Sequence, residues 1–168
     1  MKRVDSFRFL SLPSKRIVKA WIAREPVATE IPWTPLTKRL GQATVALVTT
    51  AAVALKADRP FDQEGERRNP WWGDPTCRVL PRDATERDVA LYHLHIDTSY
   101  AERDLNCVLP LERLLELETA REIGRSAPSH YSFMGYLLDP RELVEVHLPP
   151  VIRRMKAEGV DVALLVPV

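Results

Sequence analysis

Three runs of apolar residues stand out along the chain, at residues 43–49, 89–96 and 160–166, and a shorter one lies at residues 77–80. The runs are nearly continuous rather than alternating, which is the pattern expected for strands of a parallel sheet that helices cover on both faces. The pattern therefore predicts strands at all four places, and the first run is the clearest.

Apolar residues recur at helical spacing in two later segments, residues 111–120 and 141–158. The second segment ends at Gly159, a residue type that often follows the last turn of a helix. A shorter helical turn is predicted at residues 34–40, where Thr34 can serve as the cap.

Two longer segments have the composition of surface loops. Residues 58–74 are rich in charge, Gly and Pro, and we expect Trp71 and Trp72 to anchor this loop. Residues 126–136 combine turn residues with aromatic residues, and they contain His130. Both segments are predicted to connect elements of the fold.

Strands that alternate with helices indicate an α/β fold, with three layers in a Rossmann-like arrangement and a mainly parallel sheet. A chain of 168 residues is long enough for one domain with a substantial core. We assign residues 33–168 to this α/β domain. Residues 1–32 form an N-terminal extension whose spacing predicts one or two short amphipathic helices. The chain stops two residues after its last predicted strand, so we expect the domain to be truncated at its C-terminus.

The charge balance argues against large charged partners. Lysine and arginine total 24 against 23 aspartate and glutamate, so no broad field favours nucleic acid or an anionic membrane. The longest apolar stretch, residues 43–55, is shorter than the roughly 20 residues of a membrane-spanning helix. The N-terminus lacks the apolar core of a signal peptide. We therefore predict a cytoplasmic protein that binds neither nucleic acid nor membrane.

The two cysteines, Cys77 and Cys107, are too few for a disulfide framework and do not form a CxxC motif. The simplest interpretation is that both are small buried side chains, and the alternative for Cys107 is a resolving thiol. Neither GxGxxG nor GxxxxGK[ST] occurs, so a nucleotide cofactor is unsupported.

Ligands of open α/β sheets collect at the carboxyl ends of the strands. Here these ends carry Thr49 and Thr50, the HLHID segment of residues 93–97, and Val168. If residues 93–97 continue a strand, alternate side chains project to one face and bring two imidazoles and a carboxylate together. We predict that Val168 lies near Thr49, Thr50 and the segment from His95 to Asp97.

Three interpretations of the HxHxD pattern stay open. It resembles the start of the HxHxDH motif of metallo-β-lactamases, although Thr98 stands where the next histidine would be. It can be a structural pair in which Asp97 caps a turn. It can also belong to an organic active site in which a histidine positions or protonates a substrate. We predict no stoichiometric zinc. His130 is open between a packed loop residue and a site residue.

Over residues 33–168 the chain resembles one known family through an ordered set of short segments. They are WTPL (33–36), VALVTTAAV (45–53) with Lys56 and PFD (60–62), RVLP (78–81), HID (95–97), DLNCVLPLERL (104–114), IG (123–124), APSHYSFMGY (127–136) and GVDVALLVPV (159–168). On these segments the chain is similar to the selenoprotein B subunits of glycine, sarcosine and betaine reductases and to the selenocysteine subunit of D-proline reductase.

The resemblance implies a reductase subunit in which a selenolate or thiolate attacks a substrate activated on a pyruvoyl-bearing partner subunit. A carbon–nitrogen bond of an amino acid or betaine-like substrate is then cleaved reductively, with electrons from thiols or a thioredoxin-like system. The nucleophile is expected just after Val168, and no cofactor is expected within this chain. The resemblance also implies that the wall of the site consists of Thr49, Thr50, His95, Asp97 and His130. A homo-oligomer is compatible with these features.

Some relatives have a glycine-rich turn where this chain has Ala51-Ala52, so the substrate stays open. The alternative function is a non-catalytic binding or assembly domain that retains the fold without the nucleophile. The reductase interpretation predicts a UGA codon after Val168, followed in frame by a further helix and strand. A UAA or UAG codon with no downstream frame would favour the alternative, and sequencing the gene beyond codon 168 distinguishes them.

Overall fold

The computed structural model describes residues 11–23, 34–69 and 71–168. The chain divides into two compact units, Met1–Pro35 and Leu36–Val168. The first unit contains helix α1, Leu12–Ile22, which lies within the range where short helices are predicted. The other residues of the predicted N-terminal extension lie outside the described residues, except for 11 and 23.

The second unit contains strands and helices that alternate along the chain. Its strands are β1 (Thr44–Thr49), β2 (Val53–Leu55), β3 (Arg78–Pro81), β4 (Val89–Leu91), β5 (Arg125–Ser126), β6 (Ser129–Ser132) and β7 (Val162–Val166). Its helices are α2 (Gln63–Arg68), α3 (Ser99–Arg103), α4 (Leu111–Thr119) and α5 (Leu148–Ala157), with a π-helical turn at Leu143–His147 and 3-10 turns at Leu40–Gln42 and Leu105–Cys107. Every helix in the described ranges is too short or too polar to cross a bilayer.

The main sheet is built around β1. On one side β7 runs parallel to β1 with the register Val45↔Val162 to Thr49↔Val166. On the other side β5 and β6 pair in parallel with successive parts of β1, and β3 joins β6 in the antiparallel direction. The sheet is therefore mainly parallel, as predicted, and the α/β class is confirmed.

The side chains of β1 alternate between two apolar clusters, because successive residues of a strand point to opposite faces. Val45 and Leu47 pack in one cluster with Leu114 of α4. Ala46 packs in the other cluster with Val151 of α5. Helices thus cover both faces of the sheet, which explains why the β1 sequence is a continuous apolar run.

The predicted strand at residues 89–96 is wrong in its length and in its partner. Strand β4 ends at Leu91 and pairs with β2 in a separate antiparallel two-stranded sheet. Ala52 has a φ of 52°, which redirects the chain after β1 and allows β2 to leave the main sheet. Residues 92–98 are turns and irregular structure. The alternation of side chains assumed for His93, His95 and Asp97 therefore does not apply.

The loop predicted at residues 58–74 contains helix α2, so this prediction is wrong in part. Asp62 caps the helix by accepting a hydrogen bond from the Gly65 N–H at 2.9 Å. Trp71 does not anchor the segment, since it is 69% exposed. Trp72 is half-buried, and its ring lies against Gly65.

Two further boundaries differ from the predictions. The helical turn predicted at residues 34–40 lies instead at Leu40–Gln42, because Arg39 has an extended backbone conformation. The loop predicted at residues 126–136 contains strand β6, which pairs with both β1 and β3.

The end of the chain follows the predicted elements more closely. The helical segment at residues 141–158 ends at Gly159, whose φ of 68° is the left-handed conformation that glycine adopts readily. Strand β7 is confirmed, but it is not buried as predicted. Leu164 and Leu165 are 48% and 69% exposed, and in the described part of the chain β7 pairs with β1 alone.

Candidate functional site

The carboxyl ends of β1 and β7 meet at Thr50 and Val168. The Thr50 N–H donates to the Val166 carbonyl at 3.2 Å, and the Val168 N–H donates to Thr50 Oγ1 at 2.9 Å. We call this pair of residues the Thr50–Val168 junction. The predicted proximity of Val168 to Thr50 is confirmed, because parallel strands in register end at the same edge of the sheet.

The segment around Gly135 joins the junction to a group of aromatic and charged residues. A Cβ atom on Gly135 would lie 2.8 Å from the Thr50 carbonyl oxygen and 3.1 Å from His93 Nε2. The neighbouring backbone is fixed by the Ala52 N–H, which donates to the Phe133 carbonyl at 2.9 Å. Glycine at position 135 therefore allows the turn after β1 to approach His93 closely.

Beyond Gly135 lies a group that we call the histidine cluster, which consists of Glu66, His93, His95 and Tyr136. The rings of His93 and His95 are 5.9 Å apart and nearly perpendicular, and the rings of His95 and Tyr136 are 4.4 Å apart. His93 Nδ1 accepts the His95 N–H at 3.1 Å. Burial, and then the proximity of His95, lower the pKa of His93 below its usual value. Because Nδ1 accepts the His95 N–H, the ring proton of neutral His93 is on Nε2.

Within the described residues, Glu66 and His95 bring a carboxylate and an imidazole of the histidine cluster within hydrogen-bond distance. Glu66 Oε1 lies 2.7 Å from His95 Nε2, and the two side chains are 2% and 51% exposed respectively. Among the described residues, Glu66 Oε2 is buried without a hydrogen-bond partner. Glu66 was not predicted as a site residue, because it lies in a helix within a segment of mixed charge that no motif distinguishes.

Asp97 does not join the histidine cluster through any hydrogen bond described here. Its Oδ1 accepts the Ser99 N–H at 3.0 Å. Hydrogen bonds with the side chain and the backbone of Ser99 lower the pKa of the Asp97 carboxyl. This geometry is the turn cap of the structural interpretation. Over residues 11–23, 34–69 and 71–168, no group of three or more His, Cys, Asp and Glu side chains is arranged to hold a metal ion.

Thr49 and His130 lie inside the sheet and are fully buried. Thr49 Oγ1 donates to the Val108 carbonyl at 2.7 Å and accepts the Ala51 N–H at 3.2 Å. His130 Nδ1 accepts the Leu47 N–H at 2.9 Å, and its Nε2 lies 3.1 Å from Ser126 Oγ. Burial lowers the pKa of His130 to about 4. Both side chains therefore satisfy buried polar groups through these hydrogen bonds.

Two curated proteins are similar to the chain. The D-proline reductase subunit gamma of Acetoanaerobium sticklandii is 36% identical over 140 residues, which is 83% of this chain and 54% of that protein. The glycine reductase complex component B subunit gamma of Carboxydothermus hydrogenoformans is 27% identical over 140 residues, which is 83% of this chain and 31% of that protein. The chain belongs to the family of these reductase subunits.

The membership of this family confirms the resemblance found in the sequence. The chain spans about half the length of the first relative and about a third of the second. No family model matches the chain. No solved structure matches it either.

The cysteines of this family member differ in their surroundings. Cys77 is half-buried, and burial raises the pKa of its thiol to about 12, so it is not a thiolate near neutral pH. Cys107 is exposed, which contradicts its expected burial. Among the described residues neither cysteine belongs to the histidine cluster.

Proposed function

We propose that the chain is a subunit of a reductase complex that cleaves a carbon–nitrogen bond reductively, with a thiol/disulfide couple as the source of electrons. The substrate class is an amino acid or a betaine-like compound. The observation that carries this proposal is the 36% identity to the D-proline reductase subunit gamma over 83% of the chain. The relative's name gives a reductase that acts on D-proline, and the proposal extends a reductase role to this chain. The cleavage of a carbon–nitrogen bond and the thiol/disulfide couple are what the family resemblance implies.

The geometry at the carboxyl edge of the sheet supports the proposal. The family resemblance expects a selenolate or thiolate just after Val168. The hydrogen bond between the Val168 N–H and Thr50 Oγ1 would fix the direction of the backbone that leads to such a nucleophile. The histidine cluster lies on the other side of Gly135 and would supply polar groups to a bound substrate.

The five predicted wall residues take different parts in this proposal. Thr50 and His95 would face the substrate, since Thr50 is half-buried and the His95 side chain is 51% exposed. Thr49 and His130 would support the site from within the sheet. Asp97 would order the turn that carries His95.

We propose the following partners from the family. A pyruvoyl-bearing partner subunit would activate the substrate, and a dithiol or thioredoxin-like protein would reduce the nucleophile after each turnover. The relatives are named as subunits of reductases, which supports a complex of several chains. The proposed location is the cytoplasm, where thiol reductants are abundant.

The test is an assay of the complex that contains this chain. A tagged chain is purified from its native source, its partners are identified by mass spectrometry, and dithiol consumption is measured with D-proline, glycine, sarcosine and betaine. We expect consumption that depends on one of these substrates. A complex that contains the chain and its partners and consumes no dithiol with any of them would contradict the proposed reaction.

One observation favours the alternative of a binding or assembly domain. Strand β7 presents Leu164 and Leu165 at 48% and 69% exposure, and such an edge can accept another strand or a partner surface. In that case the purified complex would assemble through β7 without turnover. Charged substitutions at Leu165 would then disrupt the complex.

A further inference from the structure

The Glu66–His95 pair has the geometry of a histidine held by a carboxylate. The two atoms that meet, Glu66 Oε1 and His95 Nε2, are 2.7 Å apart. The carboxylate belongs to the interior, with a side chain 2% exposed, whereas the imidazole reaches the surface at 51% exposure. One partner is thus buried, and the other is available to a ligand.

A comparison within the chain separates this pair from a purely structural one. Asp74 and Arg78 are both 5% exposed, and each makes several further hydrogen bonds. Asp74 accepts the N–H groups of Asp62 and Thr76, and Arg78 donates to the carbonyls of Arg59 and Pro60. Buried charged groups that stabilise a fold normally have several hydrogen-bond partners of this kind.

In the part of the chain that the structure describes, the Glu66 carboxylate does not have several hydrogen-bond partners. Its Oε1 has His95 as its hydrogen-bond partner, and its Oε2 is buried without one. A buried carboxylate with one partner is costly for stability, so its position is better explained by what it does to the imidazole. The carboxylate only accepts hydrogen bonds, and therefore the proton of a neutral His95 ring stays on Nε2.

The remaining contacts orient the imidazole. The His95 N–H is tied to His93 Nδ1 at 3.1 Å, and the Tyr136 ring lies 4.4 Å from the His95 ring. With Nε2 directed at Glu66, the opposite ring nitrogen, Nδ1, is left to exchange a proton with a ligand.

We infer that Glu66 and His95 form a proton-transfer dyad, in which Glu66 is a positioning residue and His95 donates a proton from Nδ1 to the nitrogen that leaves the substrate. This inference rests on the proposed function. Histidine held by a buried carboxylate is a recurrent arrangement for general acid–base catalysis.

The lone pair of the selenolate or thiolate forms the new bond to carbon, while the electron pair of the carbon–nitrogen bond moves to nitrogen. In an amino acid substrate whose reacting nitrogen is uncharged, that nitrogen takes the Nδ1 proton of the charged His95 ring, so it leaves as a neutral amine. The quaternary nitrogen of a betaine would leave as a neutral amine without a proton, so the step applies to amino acid substrates. His95 is left neutral with its proton on Nε2, which is the tautomer that Glu66 favours.

The first experiment measures the dyad without any activity. The ring nitrogens of His95 are assigned by ¹⁵N NMR in the isolated chain, in Glu66→Gln and in Glu66→Asp. We expect the His95 ring to be in the Nε2–H tautomer in the wild type. Glu66→Gln should abolish the preference for this tautomer, and Glu66→Asp, which keeps the negative charge, should retain part of it. A His95 ring with its proton on Nδ1, or one that does not respond to Glu66→Gln, would overturn the inference.

Glu142 and His147 provide a matched control. His147 is half-buried and Glu142 is exposed, the corresponding atoms are 3.5 Å apart, and the pair lies outside the histidine cluster. Glu142→Gln is expected to leave the ring signals of His95 unchanged.

The second experiment measures turnover of the purified complex with saturating dithiol. We expect His95→Gln to lower kcat about 100-fold and Glu66→Gln about 10-fold, with KM within about twofold of the wild type. The glutamine in His95→Gln can still donate to Glu66, so folding is retained, and His147→Gln should keep full activity. Activity of His95→Gln within about twofold of the wild type would overturn the inference.

The two experiments distinguish the failure of each proposal. If the wild-type complex cleaves no carbon–nitrogen bond, the proposed function is wrong. The claim that His95 protonates the leaving nitrogen is then wrong as well, whatever the NMR result. If the complex is active and the NMR signals do not respond to Glu66→Gln, the dyad alone fails.

Discussion

The stability of the main sheet is expected to depend on pH through His130. The ring is fully buried, and its Nδ1 accepts the Leu47 N–H at 2.9 Å. Burial is the main cause that lowers the pKa of His130 from 6.5 to about 4; Arg82 lowers it as well, and Glu158 acts in the opposite direction. The folded protein therefore keeps this ring neutral at pH values where the unfolded chain protonates it.

The sign and size of the effect follow from the two pKa values of His130. Above pH 6.5 the ring is neutral in both states, and its contribution to stability is fully present. Below that pH the unfolded chain gains a proton that the folded chain does not accept, so the free energy of unfolding falls by about 1.4 kcal/mol per pH unit. The decrease ends near pH 4, after a total loss of about 3 kcal/mol. This is a substantial part of the roughly 5–15 kcal/mol that stabilises a typical domain.

The assay is urea unfolding of the wild type and of His130→Gln between about pH 7 and pH 5. Glutamine can accept the Leu47 N–H through its amide oxygen, but it does not titrate. The wild type should lose about 2 kcal/mol more than His130→Gln over this range, because the carboxyl groups titrate alike in both proteins. His147→Gln, which retains His130, should behave as the wild type. Equal pH dependence of the wild type and His130→Gln would refute a buried neutral ring.

Three further predictions concern single residues. Arg121 is exposed with a φ of 59°, so Arg121→Gly should raise the free energy of unfolding by up to about 1 kcal/mol, and Arg121→Ala, as its control, should not. Gly135→Ala places a methyl group 2.8 Å from the Thr50 carbonyl oxygen and should cost about 1–3 kcal/mol in urea unfolding; an unchanged midpoint would contradict this close approach. A thiol-alkylating reagent should modify exposed Cys107 in the native chain and leave Cys77, with its pKa of about 12, unmodified, as measured by intact-mass and peptide analysis. Modification of Cys77 before Cys107 would contradict this prediction.

The sequence by itself determined the elements whose pattern is strong and local. Strand β1 was predictable because a strand between two helical layers is apolar at every position. The helix around α5 was predictable from its spacing and from Gly159, which alone can continue the chain at a positive φ without strain. The family was also recognisable from the sequence, since short segments in a fixed order do not depend on packing.

The tertiary structure decided where short segments go. The apolar run at residues 89–96 contains a real strand, but Ala52 directs the chain after β1 out of the main sheet, and β4 follows β2. Residues 126–136 look like a loop, yet β6 forms within them because β1 and β3 both offer unpaired backbone groups there. Whether a short segment forms a strand depends on the strands that pair with it, and these strands are distant in sequence.

The candidate site shows the same division. The meeting of Thr50 and Val168 was predictable because both follow apolar strand runs, and the ends of parallel strands meet at one edge. His95 does not follow such a strand, since β4 ends at Leu91 in a separate antiparallel sheet. Glu66 was not predictable, since its pairing with His95 joins residues 29 positions apart across a helix and a turn. The role of His130 as the acceptor of the Leu47 N–H was also not predictable. It depends on the strand register, which leaves this N–H without a backbone partner. The local periodicity of apolar residues can be read from the sequence alone. The partner of each buried polar group is determined only when the chain has packed.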